Sequence, residues 1–347
     1  MSKRQAGLDQ METTGVTRRR ATSYDVAMAA GVAQSTVSRC FLADGQISAV
    51  TRARVQEVAA SLGYVPNAIA RSLITRRSEM VAVIVTSFTL RANPAIVSGL
   101  GRALNGRGKQ LLLMAVDDGA GARAAAQAAL RYPLDGLVVA TTLDDAEIKP
   151  LLTRGVPIVS FNRPANWPRV DRIATDHAGA AREAARLFYG AGHRRFLCVG
   201  GPPWASVNQE RADGFLAELA ALGATRVSHV VADQSYAGGR QAFSDYVAAN
   251  GVPEAVFCVN DPLAFGVLDA CRFELKLAVP RDISVIGFDD VAEAAHQSYD
   301  LTTVRQDVDG MADGAVELLM RRLEAPDARA RRILLPGTVI PRGSARI

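Results

Sequence analysis

At 347 residues the chain exceeds one ordinary domain and suits two or three, and with 49% hydrophobic residues it can bury a large core. No apolar run reaches the roughly 18–20 residues that span a bilayer, and the polar start MSKRQAGLDQMETTGVTRRR predicts a disordered tail rather than a signal peptide, hence a cytoplasmic chain. Cys40, Cys198, Cys258 and Cys271 are scattered, and His177, His193, His229 and His296 lack ligand spacing, so buried free thiols are expected and no metal or cofactor.

The first predicted elements are two short amphipathic helices, Ser23–Ala30 and Gln34–Phe41, joined by Gly31-Val32-Ala33. Counting Ser23 as position 1, a small residue (Ala27) falls at 5, Gly31 at 9 and Val37 at 15, the spacing of a helix-turn-helix. Ala27 lets the second helix approach the first, and Gly31 supplies the positive φ of the tight turn. Val26, Ala30, Val32, Val37 and Cys40 close one apolar seam. The alternative, an ordinary helical hairpin in some core, is weaker because the pair is short, N-terminal and followed by a second nucleic-acid signature. In a DNA-binding geometry Gln34, Ser35 and Thr36 meet the base edges of the major groove, with Arg39 about one turn on.

A third helix is predicted over Thr51–Leu62, with Thr51 as N-cap and Val55, Val58, Ala59 and Leu62 on its inner face. After Gly63 and Pro66, Asn67 can cap a helix to about Leu73 that orders only when something packs on it. Residues 1–77 hold eleven Lys/Arg against five acids, a net +6, while the rest of the chain carries −1. Phosphate contact is the simplest use of that field, although Arg18–Arg20 alone also fit a solvated tail.

From Met80 onward, apolar strands alternate with helices. Strands are predicted at Val81–Val85, Gln110–Val116, Gly136–Ala140, Pro157–Phe161, Arg195–Val199, His229–Ala232, Ala255–Val259 and Ile283–Phe288. Helices are predicted at Pro94–Arg107, Ala122–Arg131, Ala178–Tyr189, Asn208–Leu222, Gly238–Ala249 and Pro262–Arg272. This alternation predicts parallel sheets covered on both faces, too many strands for one sheet, and so two doubly wound lobes. Ligands bind beyond the carboxyl ends of such strands. Asn260 and Asp289 end strands there, although Asp261 also suits a helix cap and Asp290 a turn.

The segments TSYDVAMAAGVAQSTVSRCFL, SAVTRARVQEVAASLGYVPNAIARSL and RSEMVAVIV resemble the lac/gal repressor family of bacterial transcription factors. NP at 93–94, RADGF at 211–215, FCVND at 257–261, SVIGFDD at 284–290 and LTTVRQD at 301–307 follow in the family's order. The resemblance implies an all-α helix-turn-helix headpiece and an α/β core of two doubly wound parallel-sheet lobes, like periplasmic binding proteins. It divides the chain into a basic tail (1–20), the headpiece (21–66), a hinge helix and linker (67–77) and an effector-binding, dimerising core (78–347). Within that core the first lobe spans about 78–176 plus 305–333 and the second about 177–304 plus 334–347. It further implies a cytoplasmic, nucleoid-associated homodimer on a palindromic operator in double-stranded DNA, acting as a repressor under a small-molecule effector. Closure of the cleft would set whether two hinge helices form and pair; whether ligand releases or promotes DNA binding is not written in the sequence.

By the same resemblance Thr22, Tyr24, Gln34, Ser35, Thr36, Ser38 and Arg39 take DNA-contacting positions. Tyr24 and the hydroxyls would hold phosphate, and Gln34, Ser35 and Arg39 would read bases. Asn67 and Ala70 would lie nearest the minor groove, with Leu73 either the wedge that kinks it or a residue packed on the protein. Arg211 takes a position that commonly binds ligand hydroxyls or carboxylates, and Gln306, Asn162, Arg163 and Asp176 are further effector candidates. Arg163 in place of the acidic residue often seen near position 162, and His177 where Asn is frequent, depart from the family, as does Ala95-Ile96 after Asn93-Pro94. These departures weigh against a neutral sugar. Convergence of Arg91, Arg163 and Arg211 on one anion suggests a sugar acid or other small carboxylate instead.

Two other classes compete. An enzyme lacks its signatures here: no P-loop, no G-x-G-x-x-G after the first strand and no G-x-S-x-G. A periplasmic solute-binding protein would share the core but need a signal peptide in place of the basic headpiece.

Overall fold

The computed structural model describes residues 20–41, 46–66, 77–117 and 119–347. The tail and the hinge residues Asn67, Ala70 and Leu73 lie outside the described residues. The chain divides into two compact units, residues 1–78 and 79–347.

In the first unit, α1 (Ser23–Ala30) and α2 (Gln34–Cys40) form the expected pair, followed by α3 (Ala49–Ser61). A capping box starts α1: the Thr22 hydroxyl accepts from the Asp25 amide, and the Asp25 carboxylate accepts from the Thr22 amide. Gly31 ends it at φ +62°, a conformation that costs a side chain-bearing residue strain. Val26, Ala27, Ala30, Val37, Cys40, Val55 and Ala59 are buried as one cluster. Arg52 ties α3 to α2 by donating from Nη1 to the Cys40 carbonyl at 2.7 Å. Two local expectations are corrected. Ser48, not Thr51, caps α3, its hydroxyl accepting from the Thr51 amide, because the helix begins two residues earlier than its apolar pattern. Leu62 is exposed rather than inward, because it sits at the C-cap where the helix has already ended.

The second unit holds two six-stranded sheets. The first runs β11 (Arg332–Leu335), β5 (Val170–Thr175), β4 (Ile158–Phe161), β3 (Gly136–Ala140), β1 (Met80–Thr86), β2 (Gln110–Val116). All its pairings are parallel. The second runs β12 (Thr338–Ile340), β10 (Thr302–Arg305), β9 (Ser284–Asp289), β8 (Ala255–Cys258), β6 (Arg195–Gly200), β7 (Arg226–Val231), with only β12 antiparallel. Helices cover both faces, which is why Val81–Val85 reads as an unbroken apolar run and is fully buried. The chain passes between lobes three times: from β5 into α8 (His177–Gly190), from β10 into α12 (Val308–Glu324), and from β11 to β12. These crossings bring the carboxyl ends of β4, β5, β8, β9 and β10 toward one another. All four cysteines are buried free thiols.

Several elements went beyond the apolar pattern: α4 (Ser87–Ala92), α7 (Asp145–Thr153), β5, β10, β11, β12 and α12. In β5 the reason is Asp171, fully buried yet neutralised by Arg321 and Arg322 from the end of α12, at 2.7 and 2.8 Å. A charge interrupts the strand's apolar pattern, and its compensation lies far along the chain.

Candidate functional site

On the headpiece, α2 presents Ser35 and Arg39 to solvent, while Gln34, Thr36 and Ser38 are half-buried. Gln34 Nε2 donates to Ser23 Oγ at 3.1 Å and to Ser38 Oγ at 3.3 Å, so its carboxamide is held against both helices. Tyr24 is 70% exposed on the first turn of α1, and Thr22 is engaged in its capping box.

The second candidate site lies where strands of both lobes end. Asn162, the residue after β4, is buried and sits at φ +54°. Its Oδ1 accepts from the Thr175 amide at 3.1 Å and lies 2.9 Å from His177 Nε2, and its Nδ2 donates to Gln306 Oε1 at 2.8 Å. Gln306 Nε2 donates to Asp289 Oδ1 at 2.7 Å, and that oxygen also pairs with Arg211 Nη2 at 3.0 Å. Arg211 Nε closes the ring by donating to His177 Nδ1 at 3.2 Å, and its Nη1 donates to the Val259 carbonyl at 2.7 Å. The guanidinium also lies 3.8 Å over the Phe288 ring. One cyclic network thus joins the ends of β4, β5 and β9, α8, the residue after β10 and α9 (Ser206–Ala221).

Local packing explains the place of Arg211. One turn on, Gly214 lies so close to α8 that a Cβ there would be 2.6 Å from the Ala178 carbonyl oxygen. Only glycine lets α9 approach this closely, and the approach brings Arg211 beside His177.

Burial, then Arg211, Arg163 and Arg172, hold His177 well below its ordinary value, so the imidazole is neutral. With Nδ1 accepting from Arg211, the proton is assigned to Nε2, which donates to Asn162. Burial pushes the Asp289 carboxyl up and the Arg211 guanidinium down, and their pairing opposes both. Burial and the adjacent Arg211 lower Arg163 to about 10. Arg163 Nη1 donates only to the Asn162 carbonyl, at 2.8 Å, and no carboxylate pairs with it among the described residues. Asn260 caps α11 (Asp261–Asp269), accepting from the Leu263 amide at 3.0 Å, while its buried Nδ2 finds no partner among the described residues. Asp289 at φ +120° and Asp290 at φ +52° add backbone strain of the kind that concentrates at binding sites.

Asn162, Arg163, Arg211, Asp289 and Gln306 are therefore assembled together, with Asn260 next to the Val259 carbonyl that receives Arg211. Arg91 stands apart, exposed in the last turn of α4. Asp176 is the N-cap of α8, accepting from the Gly179 amide at 2.9 Å. Asp290 pairs with Arg305 and Arg342, and Asp261 accepts from Thr303 Oγ1 and the Val291 amide. Sequence reasoning missed His177 and Thr175 as members of the network; the one available signal was their place at the exit of β5, a strand it did not recognise. Among the described residues no group of His, Cys, Asp and Glu is arranged to hold a metal, and no helix is long and apolar enough to cross a membrane.

A helix-turn-helix unit joined to two α/β lobes with a polar network at their facing strand ends defines the class of DNA-binding regulators with an effector-type core. Comparisons agree: the profile described as "Bacterial regulatory proteins, lacI family" matches residues 22–67, and "Periplasmic binding protein-like domain" matches 185–345. The HTH-type transcriptional regulator CelR of Thermobifida fusca is 32% identical over 337 residues, covering 94% of this chain and 99% of the relative. The ribose operon repressor of Escherichia coli K12 is 29% identical, covering 94% and 100%. A crystal structure of the Lac repressor bound to ONPG superposes with TM-score 0.85 at 26% identity, covering 94% and 100%. The CelR–cellobiose complex gives TM-score 0.70 at 30% identity, covering 94% and 100%. The chain belongs to the lacI family of bacterial regulatory proteins.

Proposed function

We propose that this protein is a homodimeric repressor of a palindromic operator, released or engaged by a sugar acid bound between the lobes. Residues 21–66 serve as the DNA-reading headpiece, 67–77 as the hinge and 78–347 as the effector core. Ser35, Arg39 and Gln34 read bases, Thr22, Tyr24, Thr36 and Ser38 hold phosphate, and Asn67, Ala70 and Leu73 act at the minor groove. Support for the DNA and effector roles comes from the relatives: the Lac repressor dimer bound to operator and the CelR–cellobiose complex.

The observation that carries the acid over the neutral sugar is the surplus of donors in the cleft. Arg211 is neutralised by Asp289 and His177 is neutral, but among the described residues Arg163 pairs with no carboxylate and Asn260 Nδ2 with no acceptor. A polyhydroxy carboxylate supplies acceptors to both, and an uncharged sugar leaves Arg163 with only the unbonded charges of Asp289 and Glu210. Asn162, Asp289 and Gln306 then serve the hydroxyls. Closure can favour one DNA-binding state only through unequal effector affinity for the two states.

Calorimetric titration of the full-length protein with aldonates, uronates and their parent aldoses tests this. The acids are expected to bind at least about tenfold more tightly, or about 1.4 kcal/mol. Equal or tighter binding of the aldoses would return the cleft to neutral sugars.

A further inference from the structure

All six strands of the first sheet are parallel, so they begin on one rim, opposite the strand ends that form the cleft. That rim is lined with arginine. Arg107 precedes β2, Arg131 precedes β3, Arg154 precedes β4, Arg169 precedes β5, and Arg329, Arg331 and Arg332 cluster at the start of β11. All seven are exposed. Arg154 donates to the Leu130 carbonyl and Arg169 lies 3.5 Å from Asp327. The side chains of Arg107, Arg131, Arg329, Arg331 and Arg332 have no hydrogen-bond or carboxylate partner among the described residues. The acids nearby do not balance them: Asp135 is buried against Lys109, Asp171 is buried against Arg321 and Arg322, and Glu79 is half-buried, leaving Glu324 and Asp327. This concentration stands out because residues 78–347 together carry −1.

We propose that this rim is a second DNA-contacting surface, which holds phosphates of the duplex flanking the site read by the headpiece. Exposed arginine forks without internal partners are suited to phosphate, and a fixed row of them matches a repeating backbone charge. The chain enters the core on this same rim, at Met80. Thirteen residues lie between Pro66, the last described residue before the hinge, and Met80, and such a stretch spans at most about 50 Å. The end of the headpiece chain is thus tethered within that distance of Met80. Screening at physiological salt confines the attraction to about 8 Å, so the surface acts by contact and not at long range.

The test uses the full-length protein, a mixed-sequence 18-bp duplex and a mixed-sequence 60-bp duplex, titrated by fluorescence anisotropy across a salt series. A variant carrying Arg107→Gln, Arg131→Gln, Arg329→Gln, Arg331→Gln and Arg332→Gln is compared with wild type and with the matching five-fold Arg→Lys variant. The Gln variant should keep its affinity for the short duplex. On the long one its slope of log K against log salt should fall by about 2 or more, at about 0.9 for each phosphate that is no longer neutralised. The Lys variant should retain most of the slope. Unchanged slope and affinity in the Gln variant would overturn the proposal, as would equal losses in the Gln and Lys variants. Failure of wild type to bind either duplex would overturn it together with the headpiece reading; loss confined to the long duplex leaves that reading intact and supports the rim.

Discussion

Burial raises the Asp261 carboxyl to about 7, even though Thr303 Oγ1 and the Val291 amide donate to it, and Asp289 and Asp290 add to the rise. The folded state therefore holds the proton more tightly than the unfolded chain, whose aspartate titrates near 3.9. Stability from this group is present below about pH 4 and is lost as pH rises to about 7. Asp261→Asn does not titrate, so its melting temperature relative to wild type should climb between pH 4 and 7 and then level off. Full linkage corresponds to on the order of 4 kcal/mol. A difference that stays flat across that range would show that Asp261 keeps its charge. At this scale the sequence was a partial guide. Arg211, Asn162, Asp289 and Gln306 were legible because each stands in a motif or at a strand end. His177 was not: a lone histidine carries no sign of its partners until Asn162 and Arg211, far apart in sequence, are placed on either side.

Apolar runs revealed the helix-turn-helix and the central strands of each sheet, whose burial on both faces leaves little room for polar residues. Elements stabilised from elsewhere were hidden. Asp171 breaks the pattern of β5, Pro150 that of α7, and Gly310 and Gly314 that of α12, which nonetheless packs against β4 and β5 and α5 (Ala95–Gly106). A close approach of this kind also joins α8 and α9. Gly214→Ala places a methyl 2.6 Å from the Ala178 carbonyl oxygen, so α8 and α9, which carry His177 and Arg211, must move apart. Overpacking of this kind costs about 1–3 kcal/mol. The variant should lose that much stability in urea melts and bind effector at least about tenfold more weakly, while its affinity for a short mixed-sequence duplex is unchanged. Wild-type effector affinity in a destabilised variant would separate the helix packing from the placement of Arg211.

The chain divides into two compact units, each with its own apolar clusters. The headpiece cluster of Val26, Ala27, Ala30, Val37, Cys40, Val55 and Ala59 draws on residues 26–59 alone, and the clusters of the lobes are built from residues 81–319. By linkage, any factor by which effector changes DNA affinity is returned by DNA on effector affinity. Removing residues 1–78 should leave the core with its effector affinity and main melting transition intact, since none of its buried apolar residues is lost. DNA affinity should disappear, except for what the arginine rim retains at low salt, where phosphate contacts are strongest. Calorimetry and anisotropy on the truncated chain measure all three quantities. A core that unfolds, or that no longer takes the effector bound by the full chain, would mean that the headpiece segment contributes to the fold or to the cleft. The two bodies would then be one thermodynamic unit, with no separable effector domain to drive the DNA-reading one.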